Sequence, residues 1–93
     1  MTTEGGIRRP VLAPHTRYRW DKVRKEHQLV FPEEMMLLNE PSAAIVKLCD
    51  GRSLEEVLAA LKEMFPGAEP EDDVREFLGQ LAERGLVHDA AAD

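Results

Sequence analysis

The spacing of apolar and polar positions along this chain changes twice. Residues 1–15 have no period. Gly5, Gly6, Pro10 and Pro14 punctuate them, and the stretch reads as a flexible N-terminal arm. From residue 16 the period is two. Tyr18 and Trp20 alternate with Arg17, Arg19 and Asp21, as in a half-buried strand. The polar run Lys22–His27 contains a hairpin turn, with His27 expected in solvent. Leu29-Val30-Phe31 is a second short strand. Pro32-Glu33-Glu34 then turns the chain, because proline has no N–H for a central ladder. Met35-Met36-Leu37-Leu38 forms a third strand. All four residues are apolar, so both strand faces ask for cover.

Beyond residue 38 the period becomes helical. The first helix runs from about Glu40 to Cys49, with Asn39 as cap and Pro41 in the first turn, where a missing N–H is tolerated. Ala44, Ile45 and Leu48 share a face, and Asp50-Gly51 ends the helix. The second starts at Ser53, where Glu56 completes a capping box, and carries Leu54, Val57, Leu58, Leu61 and Met64 inward until Pro66-Gly67. The third begins near Pro70 with Glu71, Asp72 and Asp73 at its positive end. Val74, Phe77, Leu78 and Leu81 face the core, and Gly85 stops it. Leu86-Val87 adds a short extended piece, and residues 89–93 read as a frayed tail. The expected fold is α+β over residues 16–88: a three-stranded antiparallel sheet followed by three helices, winged helix-turn-helix-like.

Length and composition narrow the function. Ninety-three residues suit one domain, and 43% hydrophobic content builds a core too small for a deep, water-excluding catalytic pocket. Cys49 is the one cysteine, so no internal disulfide forms and a reducing compartment is expected. No apolar run approaches the roughly 20 residues that span a bilayer. The first residues also lack the apolar run of a secretion signal. The expectation is a cytoplasmic protein that needs no membrane. Val11 and Leu12 could dock the arm on a second subunit, giving a homodimer through the arm.

Charge weakens the obvious rival. A winged-helix pattern suggests a DNA-binding regulator. The net charge is −6, however, and Glu69–Arg84 holds Glu69, Glu71, Asp72, Asp73, Glu76 and Glu83 against Arg75 and Arg84. Phosphates would repel such a recognition helix, so no nucleic-acid partner is expected. Only the first hairpin is basic: the uneven charge is either ordinary solvated surface charge or two electrostatic faces suited to different partners.

Catalytic chemistry is hard to find. His15, His27, His88 and Cys49 sit on separate elements without metal-ligand spacing. Cys49 falls on the inner side of a helix end, where it acts as a small hydrophobe. There is no phosphate-binding glycine loop and no HExxH. No catalytic residue, metal or cofactor is expected of this chain.

Two features fit folding poorly. One is the doubly apolar strand Met35, Met36, Leu37, Leu38: either core filling or one wall of a groove. The other is Gly79 inside the third helix, where glycine costs about 1 kcal/mol relative to alanine. It is either a tolerated surface glycine or a site of close backbone approach. Arg75, Gly79 and Ala82 lie together on a helical projection, with Leu78 leading back to the core. That strip is the expected second wall, with a peptide added as a strand between the two.

The run Leu38-Asn39-Glu40-Pro41-Ser42-Ala43-Ala44-Ile45-Val46-Lys47-Leu48-Cys49-Asp50-Gly51 resembles the first-helix signature of the PqqD family, pyrroloquinoline quinone biosynthesis protein D. Arg52-Ser53-Leu54-Glu55-Glu56-Val57, Arg19-Trp20-Asp21, the Leu29–Glu33 strand and turn, and Glu83-Arg84-Gly85-Leu86-Val87 fit it too, across residues 7–88. Pro41 after Glu40 is less usual in that pattern and touches only the helix start. The resemblance implies a stand-alone recognition element for ribosomally made, modified peptides. It implies that the precursor peptide PqqA adds to the third strand and packs against the third helix. It implies presentation of PqqA to PqqE, a radical S-adenosylmethionine enzyme with iron–sulfur clusters that cross-links a Glu and a Tyr of the peptide.

Overall fold

The computed structural model describes residues 7–92. The expectations for residues 1–6 of the arm and for Asp93 of the tail lie outside the described residues. In chain order the elements are β1 (Pro10–Leu12), β2 (Arg17–Asp21), β3 (Glu26–Phe31), β4 (Glu34–Leu38), α1 (Glu40–Lys47), α2 (Leu54–Met64), α3 (Glu71–Glu83) and β5 (Val87–Asp89). A 3-10 turn over Ala90–Ala92 follows. The antiparallel sheet has the order β2-β3-β4, so the α+β expectation of three strands followed by three helices holds. Among the described residues no helix is long and apolar enough to cross a membrane.

Local chemistry sets each turn. Asp21 closes the β2–β3 hairpin by accepting the N–H groups of Val23 (3.0 Å) and Arg24 (3.2 Å). The β3–β4 connection is the two residues Pro32 and Glu33, with Phe31 opposite Glu34. Asn39 Oδ1 caps α1 by accepting the Ser42 N–H at 2.9 Å. The Ser53–Glu56 capping box opens α2 in both directions. At the end of α3, Gly85 takes φ +76°, a left-handed turn that lets its N–H reach Ala82 and the Leu86 N–H reach Leu81. That turn also delivers Leu86 into the core, where it is buried.

The core lies between the inner face of the sheet and the helices. Leu29, Val46, Val57, Val74, Leu78 and Leu81 are its most enclosed side chains. α1 is buried on more than one side, since Ala43, Ala44, Ile45 and Val46 are all covered. Cys49 Sγ donates to the Ile45 carbonyl at 3.3 Å, and burial pushes its thiol up to about 12.

Three expectations need correction. Residues 7–15 are no free arm. β1 pairs with β5, and on its other side Leu12 N–H donates to Cys49 O and Gly51 N–H to Pro10 O. Val11 and Leu12 are therefore engaged within the chain. The tail is held too: the Asp89 carboxylate accepts the Arg8 and Arg9 N–H groups at 3.0 and 2.9 Å. Backbone pairing between the two ends of the chain leaves no periodic pattern, which is why it escaped the sequence. Third, His27 lies in β3 and not in the turn. Its Nδ1 is 2.7 Å from Tyr18 Oη and its Nε2 is 3.1 Å from Glu40 Oε2, linking the sheet to the first turn of α1.

Candidate functional site

β4 is an edge strand, and its two faces differ. Met36 and Leu38 point inward, with Leu38 8% exposed. Met35 and Leu37 point outward, 41% and 58% exposed. The doubly apolar strand is therefore half core and half open surface.

The register also sorts the backbone. A two-residue hairpin loop makes its flanking pair, Phe31 and Glu34, the hydrogen-bonded kind. Bonded and non-bonded pairs then alternate along the ladder. Glu34, Met36 and Leu38 turn their N–H and C=O groups toward β3. Met35 and Leu37 turn theirs toward the free edge. Among the described residues no strand occupies that edge. The opposite edge, β2, carries charge at Arg17, Arg19 and Asp21, a composition that discourages strand addition.

α3 runs past this edge in the direction opposite to β4. At its C-terminal end Arg84 Nη2 lies 3.8 Å from Glu34 Oε2, and the guanidinium sits 5.6 Å from the centre of the Phe31 ring. At its N-terminal end Pro70, Asp73 and Val74 join Pro41, Ile45, Leu61, Phe65, Ala68 and Glu69 around an apolar cavity of about 250 Å³. Asp73, Phe77 and Arg84 share one helical flank at spacings i, i+4 and i+11. Phe77 is half-buried against the core. We take the strip between β4 and this flank, with Phe77 at its middle and Arg84 at its turn end, as the candidate slot.

The expected second wall lies elsewhere. Arg75, Leu78, Gly79 and Ala82 gather with Ile7 and Leu54 around a separate hollow of about 110 Å³. Arg75 pairs with Glu71 at 3.0 Å, one helical turn back. The physical reason is rotational. Val74, Leu78 and Leu81 pin the core face of α3, which puts Arg75 and Gly79 about half a turn from Arg84. Arg84 is on the β4 side, so Arg75 and Gly79 are not. The structure brings Met35, Met36, Leu37 and Leu38 together at one edge but does not bring the Arg75–Ala82 strip to it. Sequence reasoning set Phe77 in the core and expected the Asp73, Gln80 and Arg84 flank to be indifferent, whereas the structure turns that flank toward β4. Helical spacing defined both flanks of α3 but did not say which one meets the strand. Among the described residues no group of three or more His, Cys, Asp or Glu is placed to hold a metal ion.

The chain is similar to known proteins over most of its length. Residues 26–87 match the family described as Coenzyme PQQ synthesis protein D (PqqD). A relative from Azotobacter vinelandii, named PqqA binding protein, is 40% identical over 80 residues, covering 84% of this chain and 87% of its own. A protein of the same name from Methylococcus capsulatus is 33% identical, covering 87% and 88%. The solution NMR structure of the PqqD truncation of Methylobacterium extorquens PqqCD superposes with a TM-score of 0.66 at 27% identity. It covers 86% of this chain and 88% of that one. That protein is described as a functional, stand-alone recognition element for ribosomally synthesized and post-translationally modified peptides.

Proposed function

The chain belongs to the PqqD family, and from that premise we propose that it is a non-catalytic peptide chaperone in pyrroloquinoline quinone biosynthesis. It binds the precursor peptide PqqA and presents it to the radical S-adenosylmethionine enzyme PqqE for Glu–Tyr cross-linking. The observation that carries the reading is the open edge of β4, where Met35 and Leu37 turn their backbone groups away from the sheet. PqqA adds there as a fourth strand and lies in the slot against Asp73, Phe77 and Arg84 of α3. The names of the Azotobacter and Methylococcus relatives support the ligand.

Magnitudes divide the work. Two residues offer two N–H and two C=O groups. At about 1 kcal/mol net for each hydrogen bond, the edge alone yields about 4 kcal/mol, which is only the millimolar range. Tighter binding has to draw on apolar burial over Met36, Phe77 and the Pro41–Ile45 cavity. The backbone accepts an extended chain of many sequences, and the slot selects among them. Calorimetric titration with synthetic PqqA, followed by amide exchange on the complex, tests this. Saturable binding with new protection at Met35 and Leu37 is expected. Binding without protection there would move the peptide off this edge, and no binding would remove the function.

A further inference from the structure

The sheet has a second face that neither the core nor the slot uses. On it the register lines up two rows across all three strands: Arg17–Val30–Met35 and Arg19–Gln28–Leu37. Residues directly opposite in antiparallel neighbours project to the same side. Each row therefore starts with a cation on β2 and ends with an apolar side chain on β4. Arg17, Arg19, Met35 and Leu37 are all exposed. At about 4.8 Å per strand, each cation's backbone stands about 10 Å from that of its apolar counterpart. The next row, toward the hairpin, is Asp21–Glu26. Asp21 is already engaged by the N–H groups of Val23 and Arg24 and by Gln28 Nε2.

A pair of adjacent exposed apolar side chains beside a pair of arginines is a surface with a complement. The chain as a whole is acidic, and α2 and α3 hold most of that charge, so the basic rows are local to the sheet. The complement is a protein surface with an apolar centre and carboxylates on one side. A nucleic-acid backbone suits the face less well, because the Asp21–Glu26 row interrupts any track of cations.

We propose that this outer face is where the modifying enzyme docks, with carboxylates over Arg17 and Arg19 and an apolar side chain over Met35 and Leu37. The choice of occupant rests on the peptide-presentation reading. A strand added to β4 extends both rows, so its outward side chains stand beside Met35 and Leu37. An enzyme seated on the face then meets the peptide without displacing it from the slot.

The test is the double variant Arg17→Glu/Arg19→Glu, since neither residue belongs to the slot. Wild type and variant are titrated separately with synthetic precursor peptide and with the modifying enzyme, each at low and high salt. The variant is expected to keep wild-type peptide affinity and to lose about tenfold or more in enzyme affinity. Wild-type enzyme binding is expected to weaken with salt. Should the reversal unfold the protein, Arg17→Gln/Arg19→Gln decides, with a smaller loss in the same direction. Unchanged enzyme affinity in a folded variant, or a wild type that does not bind the enzyme, overturns the docking face. Duplex DNA binding that the reversal abolishes while enzyme affinity stays put also overturns it. A wild type that binds the enzyme but not the peptide removes the presentation reading and leaves the docking face standing.

Discussion

Arg84 Nη2 lies 3.8 Å from Glu34 Oε2, tying the last turn of α3 to the first residue of the edge strand. Both side chains are about half exposed, so the pair adds little to stability, under about 1 kcal/mol. Its place at the mouth of the slot gives it consequence for binding. Arg84 is the cation on the flank that faces β4, available to a carboxylate of an incoming peptide. Arg84→Glu is expected to unfold within about 1 kcal/mol of wild type and to bind PqqA about tenfold more weakly. Arg84→Lys should fall in between. Calorimetry at wild-type affinity for Arg84→Glu would take the residue out of the slot.

Proline separates the two backbone sides of β4. Leu37 N–H faces the free edge, so Leu37→Pro should leave the β3–β4 ladder in place and cost about tenfold or more in peptide affinity. Met36 N–H faces Leu29, so Met36→Pro should damage the hairpin itself and lower the unfolding free energy by about 3 kcal/mol or more. Equal stability in the two variants would contradict the register.

Gly79 should be free of the binding role that its place in a helix suggests. A Cβ built there meets nothing within 4 Å, and the residue is on the flank away from β4. Gly79→Ala is expected to stabilise the protein by about 1 kcal/mol through helix propensity alone. Its peptide affinity should match wild type. Thermal unfolding and a peptide titration read the two halves, and a clear affinity loss would return this strip to the site.

Acid should loosen the two ends of the chain. Desolvation alone would raise the Asp89 carboxyl, but the N–H groups of Arg8, Arg9 and Ala91, together with the Arg8 charge, outweigh it and hold it below the ordinary range. A depressed folded-state value means that the carboxylate's stabilisation is present above the unfolded value near 3.8 and is lost as pH falls through the folded one. Protection factors at Arg8 and Arg9, taken against the intrinsic exchange rate at each pH, should therefore fall below about pH 4. Asp89→Asn should show faster exchange at neutral pH and a flatter acid profile, with a stability loss of about 1–2 kcal/mol.

Cys49 should be inert in the folded protein. Its thiol is buried and held at about 12, so almost no thiolate exists at neutral pH. Thiol reagents are expected to label it only at the rate of unfolding. Rapid native-state labelling would show that the α1 end opens on its own.

The sequence alone determined the helices, their caps and stops, the hairpin sheet and the acidic character of α3. These are local: Ser53 and Glu56 find each other three residues apart, and a period of 3.6 or 2 is written in neighbouring positions. It also marked Met35–Leu38 as a strand with more apolar surface than an edge needs. Only the tertiary structure decided what depends on residues far apart in the chain. β1 pairs with β5 through backbone groups that every residue carries, so no side-chain pattern announced it. The choice between the two flanks of α3 is a rotation. Core packing of Val74, Leu78 and Leu81 on the layers beneath fixes that rotation, and it turned Arg84 toward Glu34 and Arg75 away.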